Sequence, residues 1–183
     1  MTREKMAHLI LNWEARRDAQ GRLKVYPLRP DDGGGTYEVA GINDRYHPLA
    51  VRRLKSLIDA RRYEEAETEA ALYIASYTDP AGNWAGNWRT ALFLRDTAFN
   101  RGPGGAARIL QHALGVPIDG SVGPVTRQAL RAVEQADTPA FILRLRKSRE
   151  WYERTHARRN EASPYWRGLV NRWDKVTAAA LAA

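Results

Sequence analysis

Two acidic segments near the start of the chain have the residue types that acid–base chemistry requires. Glu14 closes a helical pattern, and 17 residues later begins the run Asp31-Asp32-Gly33-Gly34-Gly35-Thr36. Hydrolysis of a glycosidic bond needs one protonated carboxyl group that donates to the leaving oxygen, and an ionised group that stabilises a positively charged sugar or orients water. Glycines would let a bulky polysaccharide approach closely. The pattern is consistent with polysaccharide hydrolysis, although a helix end and a turn alone would also produce it.

The elements that must hold these residues are mostly helical. Apolar residues at helical spacing predict a first helix over 3–16. Short β-prone runs around the glycines predict a hairpin over 22–42 with an irregular loop, and the prolines in it argue against a regular central strand. Further helices are predicted over 47–61, 62–77, 88–100, 105–115, 123–136, 139–157 and 164–181, with Asp79-Pro80 ending the second of them. The sequence thus predicts a mostly α (α+β) fold with one small β-hairpin near the N-terminus.

Composition and charge limit the classes of protein to which the chain can belong. It has 183 residues, no cysteine and a net charge of +8. The missing cysteines exclude a disulfide framework, a thiolate zinc site and a cysteine nucleophile. Residues 141–183 hold 10 basic and 4 acidic residues. This basic end predicts attraction to a polyanion such as nucleic acid, anionic lipid or an anionic cell wall, or else a solvated arginine-rich helix face.

Several kinds of ligand and location are not indicated by the sequence. The four histidines are dispersed and lack metal-ligand spacing, so we expect no metal and no cofactor. No recognisable DNA- or RNA-binding motif is present, and we expect no nucleic-acid partner and a monomeric protein. No apolar run reaches the roughly 18–20 residues that span a bilayer. The N-terminal apolar stretch is too short for a secretory signal, so we expect synthesis in the cytoplasm and release by a holin-type or other route.

Two halves of the sequence resemble one known family, glycoside hydrolase family 108, whose members are phage-type lysozymes (N-acetylmuramidases). The order Glu14, Asp31-x-Gly33-Gly34-x-Thr36 and Gly41-Ile42 resembles its N-terminal half. The downstream stretch is similar to its C-terminal half, a type 3 peptidoglycan-binding domain. The segments that carry this second likeness are Phe99-Asn100-Arg101-Gly102-Pro103, Leu110-Gln111-x-Ala113-Leu114-Gly115, Asp119-Gly120-x-x-Gly123-Pro124-x-Thr126 and Tyr165-x-x-Gly168-Leu169-x-x-Arg172.

The resemblance implies a lysozyme-like, mostly helical fold and a reaction. The reaction is hydrolysis of the β-1,4 bond between N-acetylmuramic acid and N-acetylglucosamine in peptidoglycan. By position, Glu14 is the general acid, Asp31 (alternatively Asp32) stabilises positive charge or places water, and Thr36 holds that water or the sugar. The implied organisation is a catalytic half over 1–98 and a peptidoglycan-binding-like half over 99–183, packed as one compact unit.

Further residues are candidates for contact with the substrate. They are Asp32, Gly33, Gly34 and Tyr37 on the hairpin and Asn100 downstream. For Asn100 the pattern favours a role as the C-cap of a helix over contact with sugar. The pairs Asp119-Gly120 and Gly123-Pro124 predict a turn that leads into a helix.

A second hypothesis is a binding module that docks on peptidoglycan without cleaving it. Ala15-Arg16 follows Glu14 where the resembled family has Gly-Gly, which would fit a decayed catalytic half. Retention of Glu14 and of the Asp-x-Gly-Gly-x-Thr run favours the enzyme instead.

Overall fold

Helices make up most of the protein. The computed structural model describes residues 1–29 and 34–182, and this part contains six helices and one small sheet. The helices are α1 (Arg3–Glu14), α2 (Pro48–Asp59), α3 (Tyr63–Gly82), α4 (Trp88–Leu114), α5 (Pro124–Thr155) and α6 (Trp166–Leu181). The predicted mostly helical fold is therefore confirmed. None of these helices, within the described ranges, is long and apolar enough to cross a membrane.

The sheet has three antiparallel strands where a single hairpin was predicted. The strands are β1 (Tyr26–Pro27), β2 (Tyr37–Val39) and β3 (Ile42–Asn43), in that order. The turn between β2 and β3 is Ala40-Gly41, with φ of 52° and 76°. Two positive φ values in a two-residue connection match the twist of paired strands. The turn brings the buried side chains of Val39 and Ile42 opposite each other, and α2 packs against β2 and β3.

The chain divides into two compact units, Met1–Ser76 and Tyr77–Ala183. In the first unit α1 buries one face, which consists of Met6, Ala7, Ile10 and Leu11. Helix α2 buries Val51, Leu54 and Leu57 at the same helical spacing. These apolar stripes bury each helix on one side and leave the polar side in solvent.

The second unit is organised around a buried carboxylate. Asp96 on α4 has no exposed surface, and its two oxygens face one arginine from each of the other two helices. Arg149 Nη1 on α5 lies 2.5 Å from Oδ2, and Arg172 Nε on α6 lies 2.7 Å from Oδ1. The apolar rings of Phe93 and Trp173 are fully buried in the same unit. Helices α4, α5 and α6 thus share one buried ionic centre.

Two of the long helices are interrupted where the sequence predicted gaps. Gly102 in α4 has φ 68° and ψ 167°, and Pro103 follows it. Asp137 in α5 has φ −162°, and its Oδ1 accepts a hydrogen bond of 2.9 Å from the amide of Ala140. The carboxylate therefore caps the second part of α5 as an N-cap residue does.

The helix predicted over 62–77 was expected to end at Asp79-Pro80. This prediction is wrong, because the corresponding helix, α3, continues to Gly82. Arg95, which is buried, donates to the hydroxyl of Thr78 at 3.1 Å and to the carboxylate of Asp79 at 2.8 Å. A Cβ at Gly82 would overlap the guanidinium of Arg95. This tertiary contact holds the final turn of α3 in place despite the proline.

Asp96→Asn removes the anion between two buried arginines and leaves their charges uncompensated. We expect it to lower the free energy of unfolding by about 3–5 kcal/mol, measured by urea denaturation. The matched control is Asp174→Asn, which breaks a pair with Arg146 in which the aspartate side chain is 59% exposed. This control should cost less than about 1 kcal/mol. Equal, small losses in the two variants would contradict a central role for Asp96.

Candidate active site

Glu14 is the last residue of α1, and buried residues before it determine its position. Ile10 and Leu11 are fully buried, whereas Trp13 and Glu14 are half-buried. The chain leaves the helix at Ala15, whose φ of −64° and ψ of 126° are extended and whose amide donates to the Leu11 carbonyl at 2.8 Å. The anchored helix therefore presents the Glu14 carboxyl group at its C-terminal end.

The residues between Glu14 and the sheet form a tight turn of their own. The carboxylate of Asp18 accepts hydrogen bonds from the amides of Gln20 and Arg22, each at 2.9 Å, and from Arg22 Nε at 2.8 Å. The hydrogen bond to the Arg22 side chain is the main cause that holds the pKa of Asp18 below its ordinary value. Arg17 and Leu23 pair as an antiparallel bridge. These contacts give the long connection between Glu14 and the sheet a defined conformation.

Two arginines fix the chain directly after Glu14. The Arg17 guanidinium forms an ion pair with Glu67 on α3 and donates to Asn12 Oδ1 at 2.9 Å. The Arg16 guanidinium carbon lies 4.5 Å from the centre of the Tyr26 ring, a cation–π distance. Arg16, which stands where the resembled family has the second glycine of a Gly-Gly pair, therefore makes a side-chain contact that glycine could not make.

The hairpin contains a hydrogen-bonded aspartate, Asp44, that the sequence patterns did not indicate. Asp44 Oδ2 accepts a 2.5 Å hydrogen bond from the Thr36 hydroxyl, and Asp44 Oδ1 accepts from the Thr36 amide at 2.8 Å and the Tyr37 amide at 3.4 Å. The Thr36 hydroxyl is the main cause that lowers the pKa of Asp44. Because the Thr36 hydroxyl donates a hydrogen bond to Asp44, the hydroxyl oxygen can still accept a hydrogen bond from water or from a sugar hydroxyl.

The contact between Asp44 and Thr36 could be predicted only from the register of strands β2 and β3. Asp44 comes two residues after Ile42, and its amide donates to the Tyr37 carbonyl at 3.2 Å across the β2–β3 pair. That register places Asp44 beside Thr36. Sequence spacing alone does not specify which residues of two short strands lie opposite each other.

Two glycines of the hairpin make room for the protein's own side chains. Gly34 and Gly35 have φ of 82° and 109°. A Cβ at Gly35 would lie 2.6 Å from Asp44 Oδ1, and one at Gly34 would overlap the Arg45 guanidinium. The Gly34 carbonyl accepts from Asn43 Nδ2 at 3.0 Å. Only glycine fits both this conformation and these contacts.

The predicted site residues fall into three groups. Asp31, Asp32 and Gly33 lie outside the described residues. Gly34, Thr36 and Tyr37 lie together on the hairpin beside Asp44, in the same unit as Glu14. Asn100 lies on α4 in the second unit, where its amide donates to the Asp96 carbonyl at 3.1 Å.

The most distinctive downstream sequence pattern has a structural role. Gln111 is buried on α4, and its Nε2 donates to Asp119 Oδ1 at 2.6 Å and to the Ser121 carbonyl at 2.9 Å. Its Oε1 accepts from the Gly120 amide at 2.9 Å. The predicted turn at Asp119-Gly120 is thus held on α4 and leads into α5 at Pro124.

The chain is similar to a known protein family over part of its length and to solved structures in its fold. Residues 105–174 match a family model described as "Predicted Peptidoglycan domain". The fold is similar to a structure titled "Structure of Brucella abortus SagA", with a TM-score of 0.71, 20% sequence identity, and coverage of 98% of this chain and 93% of that chain. No curated protein matches the sequence. The domain match supports peptidoglycan as a partner.

The hydrogen bond between Thr36 and Asp44 gives a pH-dependent signature. We expect the Asp44 carboxyl carbon to titrate in NMR with a pKa below its ordinary value of 3.8. Because the folded-state pKa is lowered, the stabilisation from the ionised form is present above 3.8 and is lost as the pH falls through the folded-state value. Amide protection of Thr36 and Tyr37 should fall in the same range.

Thr36→Val is the matched test of that assignment, because it removes the hydroxyl and keeps the side-chain shape. The pKa of Asp44 should then rise toward 3.8. An unchanged titration would mean that the hydroxyl does not hold the carboxylate.

Proposed function

We propose that the protein is a peptidoglycan hydrolase with muramidase activity, an endolysin-type enzyme that degrades the bacterial cell wall. The proposal rests on a half-buried glutamate, Glu14, at the end of α1. The same unit contains the hairpin in which the Thr36 hydroxyl donates a hydrogen bond to the ionised Asp44. A protonatable carboxyl group and a separate, ionised polar group are the two requirements of glycoside hydrolysis. The likeness to glycoside hydrolase family 108 supports the same assignment.

In the proposed reaction Glu14 protonates the leaving oxygen of the β-1,4 bond as the bond to C1 of N-acetylmuramic acid breaks. Water adds to C1, and its proton passes to a second carboxylate, which the resemblance assigns to Asp31 or Asp32. The Thr36 oxygen, oriented by Asp44, accepts a hydrogen bond from that water or from a sugar hydroxyl. Asp44 is then a positioning residue.

Peptidoglycan is the substrate that the domain match and the charge both favour. The match over 105–174 supports peptidoglycan as a partner. Residues 77–183 carry 16 basic and 9 acidic residues. A net positive charge of this kind attracts the protein to an anionic wall. We propose that the enzyme acts on the wall from the periplasm after a holin-type or other release, with host lysis as its role.

Binding to peptidoglycan without cleavage is the second candidate function. The region that matches the peptidoglycan domain, residues 105–174, lies wholly downstream of Glu14 and the hairpin. That match alone therefore favours binding and says nothing of cleavage.

A lysis assay with Glu14→Gln separates the two candidates. We expect the wild type to clear outer-membrane-permeabilised Gram-negative cells, and the folded Glu14→Gln variant to do so at least about 100-fold more slowly, because the amide cannot donate the catalytic proton. The matched control is Glu4→Gln, which alters a glutamate in the first turn of the same helix with a side chain 63% exposed. It should retain the wild-type rate.

The outcomes of this assay are distinct. Equal lysis by the wild type and Glu14→Gln would contradict the role of Glu14 as the acid. Binding of both to purified sacculi without any lysis would favour the binding module.

A further inference from the structure

A cavity in the second unit has no role in the proposed reaction. It is open to solvent, has a volume of about 350 Å³, and is lined by Gly86, Asn87, Arg131, Glu134 and Gln135. The first two residues precede α4, and the other three lie within one stretch of five residues on α5. Every side chain in this lining is polar.

One wall of the cavity is built by a carboxylate that holds the loop. Glu134 Oε2 accepts from the Gly86 amide at 3.0 Å, and Oε1 accepts from the Asn87 amide at 3.2 Å. A Cβ at Gly86 would lie 3.3 Å from Glu134 Oε2, closer than most side-chain contacts, so glycine permits this approach. Asn87 is the N-cap of α4, and its Oδ1 accepts a hydrogen bond of 2.9 Å from the Arg89 amide. The loop and α5 are therefore held together at the cavity.

The cationic group of the cavity, the guanidinium of Arg131, has no partner among the described residues. Across residues 1–29 and 34–182, the exposed guanidinium of Arg131 makes neither an ion pair nor a hydrogen bond. The nearby carboxylate of Glu134 is engaged by the loop. Elsewhere on α5 the exposed Arg154 pairs with two carboxylates, those of Glu150 and Glu161. Arg131 is thus a cation left available beside a polar cavity.

Arg127, one helical turn before Arg131, extends the same donor-rich face. It too is exposed and makes no side-chain hydrogen bond or ion pair with any described residue. Residues four apart lie on one face of a helix. Arg127 is not part of the lining, so a ligand in the cavity meets the guanidinium group of Arg131 and the side-chain amide of Gln135, with the Arg127 charge one turn away on the same helix.

We propose that this cavity binds a carboxylate of the peptidoglycan stem peptide. This inference rests on the proposed partner, peptidoglycan. A guanidinium group binds a carboxylate through two parallel hydrogen bonds, a geometry that Arg131 can supply. The lining contains no aromatic ring of the kind on which a pyranose stacks. The cavity chemistry therefore fits the anionic peptide of the polymer better than its glycan.

The experiment measures co-sedimentation of the full chain with purified sacculi, in a Glu14→Gln background. The reference ligand is the soluble glycan strands that an amidase releases from the same sacculi by removing the stem peptides, and binding to these strands is measured by fluorescence anisotropy. We expect Arg131→Gln to weaken binding to intact sacculi by about 5- to 20-fold, as loss of a charge-assisted bidentate contact would. On peptide-free glycan the two proteins should bind equally.

The matched control is Arg167→Gln, which removes an exposed arginine on α6 that forms no ion pair with any described residue. It changes net charge equally and should stay within about twofold of the parent. Arg131→Lys retains the charge without the planar fork and should still weaken binding to intact sacculi. Circular dichroism of each variant confirms that it is folded.

Two results would overturn the inference. Equal binding by the Arg131→Gln and Arg167→Gln variants would show only a general charge effect. An equal loss on intact sacculi and on the soluble peptide-free glycan strands would show that the cavity contacts sugar. A failure of Glu14 to act as the acid would appear as hydrolysis by the Glu14→Gln variant and would leave these binding ratios unchanged.

Discussion

The arrangement of the second unit depends on the buried carboxylate of Asp96. A charge without exposed surface is strongly unfavourable unless it is paired, and Asp96 is paired with Arg149 from α5 and Arg172 from α6. Displacement of any one helix would leave a buried charge uncompensated, so the ionic centre penalises alternative packings.

A related device recurs at the surface, where carboxylates hold loops by accepting backbone hydrogen bonds. Asp18 closes the turn after α1, Asp44 closes the hairpin, and Glu134 holds the loop before α4. Each of these carboxylates accepts hydrogen bonds that fix a turn or a loop. Glu14 lies at the end of α1, half-buried beside Trp13, and this is the carboxyl group that we propose as the acid.

Local sequence patterns predicted most of the fold, and the contacts that they missed are tertiary. Helical periodicity and turn residues correctly indicated the helices and the breaks near Gly102 and Asp137. The third strand is two residues long, too short for a detectable alternation, and the role of Asp44 depends on its register. The helix passes Pro80 because Arg95, sixteen residues after Asp79, holds its last turn. At the candidate site the sequence indicated Glu14 and Thr36 as candidates. The structure added the residues that position them, namely the buried residues of α1 and the carboxylate of Asp44.

The most direct test of the central claim is mass spectrometry of the soluble products that the wild-type protein releases from purified sacculi. The account predicts muropeptides that end in reducing N-acetylmuramic acid, with one water added for every glycosidic bond cleaved. Anhydro-muramic acid ends, which form without water, would contradict hydrolysis. Reducing N-acetylglucosamine ends would contradict the assigned bond, and the absence of any released glycan fragment would contradict catalysis itself.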